Sequence, residues 1–160
     1  MSLIHWQINW FFCVGLVYVG YPDLSLVAVA PIIIWNSWRC SATKTFLLPS
    51  LLCGFILETI FHSFGWIEWT VGLSIQGCPP LFLLALWLNM ALAWKPFLDK
   101  FSPLILYPIF IVGTAPAYYG GSKLGCLRVI ETAEAYIGIG LGYALTLAVM
   151  HAILRFRGES

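Results

Sequence analysis

The chain has 160 residues, of which 61% are apolar and 9% carry a formal charge, and its mean hydropathy is +0.89. Water-soluble domains run at about a quarter charged residues, so this one lacks the polar surface to coat a globule in water and is too hydrophobic for disorder. A net charge of +1 with no basic stripe excludes a nucleic-acid binder that works by neutralising phosphates. What remains is an all-α, polytopic helical bundle in a bilayer, a single integral membrane domain over residues 1–160.

A membrane helix takes roughly 20 mostly apolar residues at 1.5 Å of rise each. Six segments qualify: Leu3 to Gly20, Leu24 to Trp38, Thr45 to Gly65, Leu81 to Trp94, Pro103 to Tyr118 and about Thr132 to Leu154. The second and fourth are short and are expected to lengthen into their flanks, and Pro31 predicts a kink in the second. Met1 to Gly20 has no Lys or Arg before its apolar run and no small-residue cleavage site. It reads as a retained first helix rather than a removed signal. No repeat relates the first three segments to the last three.

With six crossings, one face receives Arg39, Lys44, Lys95, Lys100, Arg155 and Arg157, while the other receives only Lys123 and Arg128. Six basic residues against two place both termini in the cytoplasm by the positive-inside rule, N-in and C-in. Tryptophans 6, 10, 35, 38, 66, 69, 87 and 94 fall mostly near segment ends. They read as an interfacial aromatic belt with no chemistry of their own.

The sharpest polar signal is Glu58 and His62 in the third segment, four residues apart and therefore on one helical face. Glu58 lies thirteen residues past Thr45, roughly 20 Å from the cytoplasmic boundary at helical rise. A carboxyl inside a membrane segment costs about 2.5–3.5 kcal/mol even on lenient insertion scales, so it faces the bundle interior with a partner. The pair reads as a proton-handling or ligand-polarising centre, or else as a structural hydrogen-bonder beside an interfacial histidine.

The fifth connection, Gly113 to Gly125 followed by Arg128, Glu131 and Glu134, is the second unusual stretch. It reads as a shaped loop capping an outer cavity, with Tyr118 and Tyr119 forming the lid and Gly120 and Gly121 permitting a sharp turn. Lys123 and Arg128 would meet an anionic headgroup or neutralise Glu58 from above, or would simply cancel against Glu131 and Glu134 in a solvated loop.

Weaker signals point to structure. His5, Asn9 and His151 sit near the inner ends of their helices without a haem or metal motif. The five cysteines form no Cys-x-x-Cys pair, and Cys78 and Cys126, both in outward connections, leave a disulfide open. Gly138 to Gly142 is no nucleotide loop, and Gly138 and Gly142, four apart, form a small-residue face for another helix. Asn36 and Asn89 are expected to hydrogen-bond between helices. Nothing in the pattern requires a cofactor or metal.

The stretch Ala115-Pro-Ala-Tyr-Tyr-Gly-Gly-Ser-Lys-Leu-Gly125 resembles a hallmark of a bacterial inner-membrane family, domain of unknown function 2878, which shows Gly-Pro-x-Ala-Tyr-x-x-Gly-x-x-Leu-Gly. Pro80-Leu-Phe-Leu-Leu-Ala-Leu-Trp-Leu-Asn89 resembles that family's Pro-Trp-x-x-x-Leu-Trp helix. Glu58 matches a glutamate of its earlier helix, with His62 where the family pattern often continues to an aspartate. The resemblance implies a multi-pass protein of the bacterial inner (plasma) membrane with no assigned reaction, and a lipid-linked setting.

Together these features point to a protein that binds or helps modify a lipid or lipophilic small molecule near the outer leaflet. Glu58 and His62 would act as the catalytic or proton-supplying pair, and Tyr118, Tyr119, Lys123 and Arg128 would bind the ligand. Its partners would be membrane lipid and, in alternative readings, a second copy of itself or another membrane protein. Those alternatives are a small proton-coupled transporter or channel, and a non-catalytic partner subunit of a membrane enzyme.

Overall fold

The computed structural model describes residues 2–73 and 78–156, with side chains for all of these except 2, 3 and 41–43. Seven helices account for most of them: α1 (Ser2–Tyr18), α2 (Leu24–Arg39), α3 (Ser41–Ser63), α4 (Leu81–Met90), α5 (Trp94–Lys100), α6 (Pro103–Lys123) and α7 (Ala133–Phe156). Two three-residue strands, β1 (Ile67–Trp69) and β2 (Leu127–Val129), complete the order. The class is all-α, as composition requires.

Four stretches are long and apolar enough to cross a membrane: Lys44–Ser63, Leu81–Lys100, Pro103–Lys123 and Ala133–Phe156. α1 and α2, at 17 and 16 residues, are shorter. The fourth segment lengthens as expected, but by a separate helical piece. α4 ends in a turn over Ala91–Ala93, and α5 carries on to Lys100, with Lys95 donating to Asp99 at 3.0 Å one turn later. α2 continues through Pro31 to Arg39.

The larger departure lies in the fifth connection. Residues 113–123, expected as a glycine-rich lid loop, are helical, and α6 runs unbroken to Lys123 through Pro108 and Pro116. A proline forfeits one backbone hydrogen bond and crowds the preceding turn, but membrane helices tolerate this where neighbouring elements cover the gap. The chain turns only at Gly125, whose φ of +75° suits a residue without Cβ.

α3 and α6 end in the same way. Phe64 N–H donates to Ile60 O, Gly65 N–H to His62 O and Trp66 N–H to Phe61 O. Sixty residues on, Leu124 N–H donates to Gly120 O, Gly125 N–H to Ser122 O and Cys126 N–H to Gly121 O. Each helix thus closes on a positive-φ glycine (Gly65 at +71°) and delivers a strand two residues later. The strands pair antiparallel, with Ile67 opposite Val129, Glu68 opposite Arg128 and Trp69 opposite Leu127. Swapping the two strands leaves this register unchanged, so two copies of a helix–glycine–strand unit meet about a local twofold through the Glu68–Arg128 pair. The sequence comparison missed this because little beyond the capping glycine is shared.

Around this unit, α4 packs on α1, α2 and α3, while α7 packs on α6 and α3. The glycines of α7 make its contacts possible, in a different way from the one expected. Gly138 lies under the Trp66 indole, and a Cβ at Gly142 would come within 2.7 Å of the Phe61 ring. The backbone of α6 is approached at the glycine between them, where a Cβ on Gly140 would sit 2.5 Å from Ile111 O. Asn89 does join helices: its Nδ2 donates to Trp6 O at 2.9 Å and its Oδ1 accepts from Asn9 Nδ2 at 3.0 Å. Asn36 instead donates within its own helix, to Ile32 O.

Because the α6–α7 contact leaves no room for a side chain, Gly140→Val is expected to destabilise the fold by about 1–3 kcal/mol. Gly15→Val, at a position with nothing within 4 Å, should cost only a few tenths of that. Unfolding curves in mixed micelles of graded denaturing-detergent fraction measure the difference.

Candidate functional site

Glu58 and Tyr118 occupy the same place in the two helix–glycine–strand units, each seven residues before its capping glycine. The local twofold therefore brings them face to face. The Tyr118 hydroxyl donates to Glu58 Oε1 at 2.6 Å. Trp87 of α4 donates its indole N–H to the same oxygen at 3.1 Å. Glu58 is wholly buried, Trp87 is 2% exposed and Tyr118 is 6% exposed. The short Tyr118 contact has the length of a hydrogen bond to a charged or strongly accepting oxygen.

Two further groups hold this centre. The Tyr143 hydroxyl of α7 lies 3.2 Å from that of Tyr118, and its ring stacks on Trp87 with centroids 4.9 Å apart. Gly54, one turn before Glu58 on α3, leaves its surface bare where the Trp87 ring lies. An added Cβ there would drive into the indole, so the placement of the Trp87 donor depends on that glycine.

Glu58 Oε2 has no hydrogen-bond partner among the described residues. Glu58 also lines a cavity of about 300 Å³, the low end of the range for small-molecule sites. α1 contributes Trp6, Trp10, Val14 and Val17, and α4 contributes Leu83, Leu86, Trp87 and Met90. α6 contributes Ile109, Gly113, Ala117 and Gly121, a stripe at every fourth residue. The cavity runs along thirteen residues of α6, Ile109 to Gly121, roughly 18 Å at helical rise, so its volume is drawn out into an elongated cleft. Its polar groups gather around Glu58, Tyr118 and Tyr143, with Thr114 nearby and the rest of the wall apolar. Ile109 is 52% exposed although it lines the cleft, and Gly113 and Ala117 are exposed as well. The cleft therefore opens sideways between α1 and α6.

The residues picked out from sequence divide into two groups. Glu58 and Tyr118 come together in the buried centre. His62 does not join them: its Nδ1 pairs with Ile67 O at 3.2 Å and its ring stacks on Trp69 at 4.2 Å. The hydrogen-bonded Glu58–His62 pair expected from their spacing is therefore absent, because the ribbon turns the histidine toward its own strand. His62 and Arg128 border a second cavity of about 840 Å³ over the ribbon, together with Glu68, Ser122 and Glu131.

Lys123 and Arg128 do not reach Glu58. Lys123 lies 4.0 Å from Glu131 and 4.9 Å over the Tyr119 ring, and Arg128 lies 3.9 Å from Glu68. All four charged side chains are more than half exposed, so these pairs contribute little. Tyr119 is 47% exposed on the far side of α6 from the cleft. Cys78 and Cys126 are both free thiols. Burial raises the Cys126 thiol above its ordinary value, so it stays protonated and slow to react.

Trp87, Tyr143 and Gly54 were not expected in the site. Trp87 was grouped with the interfacial tryptophans although it lies inside the fourth segment, where a buried indole N–H must find an acceptor. Tyr143 carried the same signal, a hydroxyl in the middle of an apolar helix.

If the carboxyl and the Tyr118 hydroxyl act as one unit, the cost of Glu58→Gln and that of Tyr118→Phe should not add. A double-mutant cycle on the same unfolding assay is expected to return a coupling of about 1 kcal/mol. Gly54→Ala should mimic loss of the Trp87 bond, visible as a red shift in tryptophan emission.

The chain belongs to the family described as Protein of unknown function (DUF2878), which matches residues 1–149. No curated protein and no solved structure matches it.

Proposed function

For this member of the DUF2878 family, we propose a multi-pass protein of the bacterial inner membrane whose cleft receives a lipophilic small molecule or the chain of a membrane lipid. The observation that carries this reading is the unpartnered Oε2 of a wholly buried carboxyl lining an otherwise apolar cleft. A buried polar atom with no partner costs about 1–3 kcal/mol, and a ligand's polar end would recover it. The apolar length of the cleft suits a hydrocarbon, and its side opening suits entry from the bilayer.

Six crossings with both termini in the cytoplasm set the depth. In that orientation Glu58 lies five residues below the outer end of α3, roughly 7.5 Å, so the polar end of the ligand meets the protein in the outer half of the bilayer. The topology has its own test. Cys40, exposed between α2 and α3, would face the cytoplasm, and Cys78, ahead of α4, would face outward. A membrane-impermeant maleimide on intact cells should label single-cysteine variants at Cys78 and should reach Cys40 only after permeabilisation.

The ligand reading is tested by Glu58→Gln in a lipid-profile comparison of whole cells. An altered profile at unchanged protein level is expected if the ligand is chemically modified. An unchanged profile removes the modifying role and leaves binding. The hydroxyl chain from Glu58 through Tyr118 to Tyr143 favours one further reading, proton-coupled movement of a small solute. That reading predicts uptake driven by a pH gradient in reconstituted vesicles, abolished by the same substitution.

A further inference from the structure

The ligand class can be narrowed from the chemistry of the one free oxygen. Resting on the lipophilic-ligand reading above, we infer that the cleft takes a single-chain lipid alcohol. Its hydroxyl bonds to Glu58 Oε2, and its chain lies along the Ile109–Gly113–Ala117 face of α6.

Three observations lead there. First, Oε1 is already saturated by two donors, Trp87 and Tyr118, so any ligand must engage Oε2. That oxygen accepts if the carboxyl is ionised and donates if it is protonated. A hydroxyl complements both states, since it carries one donor and two acceptor sites.

Second, among the described residues no lysine, arginine or histidine lines the cleft, so a carboxylate or phosphate end would be buried beside Glu58 without a counter-charge from them. Lys123 and Arg128 lie outside the cleft, exposed beside Glu131 and Glu68. A quaternary ammonium could neutralise the charge of Glu58 but has no proton to give Oε2. A primary amine would create a buried ion pair whose desolvation offsets its attraction.

Third, the shape selects one chain. Gly113 has open space where a Cβ would stand, and the residues one turn either side, Ile109 and Ala117, also face the cleft. A cavity of about 300 Å³ drawn out along roughly 18 Å of α6 suits one extended hydrocarbon chain.

The experiment is photo-crosslinking of the full-length protein in nanodiscs. The probes are hexadecan-1-ol, hexadecanoate and hexadecyltrimethylammonium, each with a mid-chain diazirine, and labelled peptides are mapped by mass spectrometry. The alcohol should label residues within 6–17 and 109–121 and should be competed by unlabelled hexadecan-1-ol. Glu58→Met should lower its apparent affinity about tenfold, the worth of one buried hydrogen bond. Gly113→Leu fills the cleft without touching the polar centre and should abolish labelling, and size-exclusion profiles report whether each variant stays folded.

If the acid or the quaternary ammonium labels the same peptides as strongly as the alcohol, the alcohol assignment is overturned while the lipophilic-ligand reading stands. The same holds if Glu58→Met changes nothing in a protein that Gly113→Leu still blocks. If no probe labels the cleft and Gly113→Leu makes no difference, both inferences fail together.

Discussion

A buried carboxyl needs hydrogen-bond donors for its oxygens, and in this one the described residues supply them to one oxygen only. Glu58 Oε1 receives a hydroxyl and an indole, each from a different helix, while Oε2 has no partner among the described residues. The two bonds tie α3 to α4 and to α6, and Tyr143 adds α7 through its contact with Tyr118. Four helices thus converge on one side chain. Removing the acid would leave Trp87 and Tyr118 as orphaned buried donors, so the cost extends beyond the bonds themselves. A polar knot of this kind fixes the mutual rotation of helices whose apolar surfaces would otherwise pack equally well in several settings.

The convergence follows from the two helix–glycine–strand units. A helix ending on a positive-φ glycine sends its chain off at a fixed angle, and two such ends paired through an antiparallel ribbon set their helices in a fixed relation. Residues seven positions before each glycine then face one another. One copy places a glutamate there and the other a tyrosine, which makes a heterologous acceptor–donor pair at a nearly symmetric position. Two glutamates would repel at that distance and two tyrosines would supply no strong acceptor. The exposed Glu68–Arg128 pair repeats the pattern at the ribbon centre, where unlike charges also face each other across the twofold.

Much of this architecture was legible in the residues. Hydropathy located every long helix, because length and apolar content are what a bilayer constrains, but ended the fourth segment six residues and the fifth five residues early. Glu58 stood out since a carboxyl in such a segment must have a reason to be there, and Tyr118 stood out through the tyrosine–glycine stretch. The spacing rule then misled. His62 shares a helical face with Glu58, but the turn after Gly65 brings a closer acceptor, Ile67 O, within its reach. For Lys123 the alternative of local cancellation describes the structure, since it lies beside Glu131, whereas Arg128 meets Glu68 across a ribbon invisible to periodicity. Three-residue strands leave no alternation to read. The duplicated unit was hidden because its geometry needs only a glycine at the cap and permits almost anything elsewhere.

The same near-symmetry explains why there is a cleft at all. α4 follows β1 as α7 follows β2, so the two helices hold corresponding places, one beside each unit. α7 carries Gly138, Gly140 and Gly142, which admit the Trp66 ring, the α6 backbone and the Phe61 ring in turn. It therefore closes against both α6 and α3. α4 has no glycine and presents Leu83, Leu86, Trp87 and Met90 in the corresponding direction, side chains too bulky to let it settle against α6 as α7 settles against α3. The gap this leaves, walled on its third side by α1, is the cleft. Its position beside Glu58 follows from Trp87, which lies over Gly54 of α3, stacks on Tyr143 of α7, lines the cleft and donates its N–H to the carboxyl. One side chain thus belongs both to the cleft wall and to the polar centre, so cleft and carboxyl form one site.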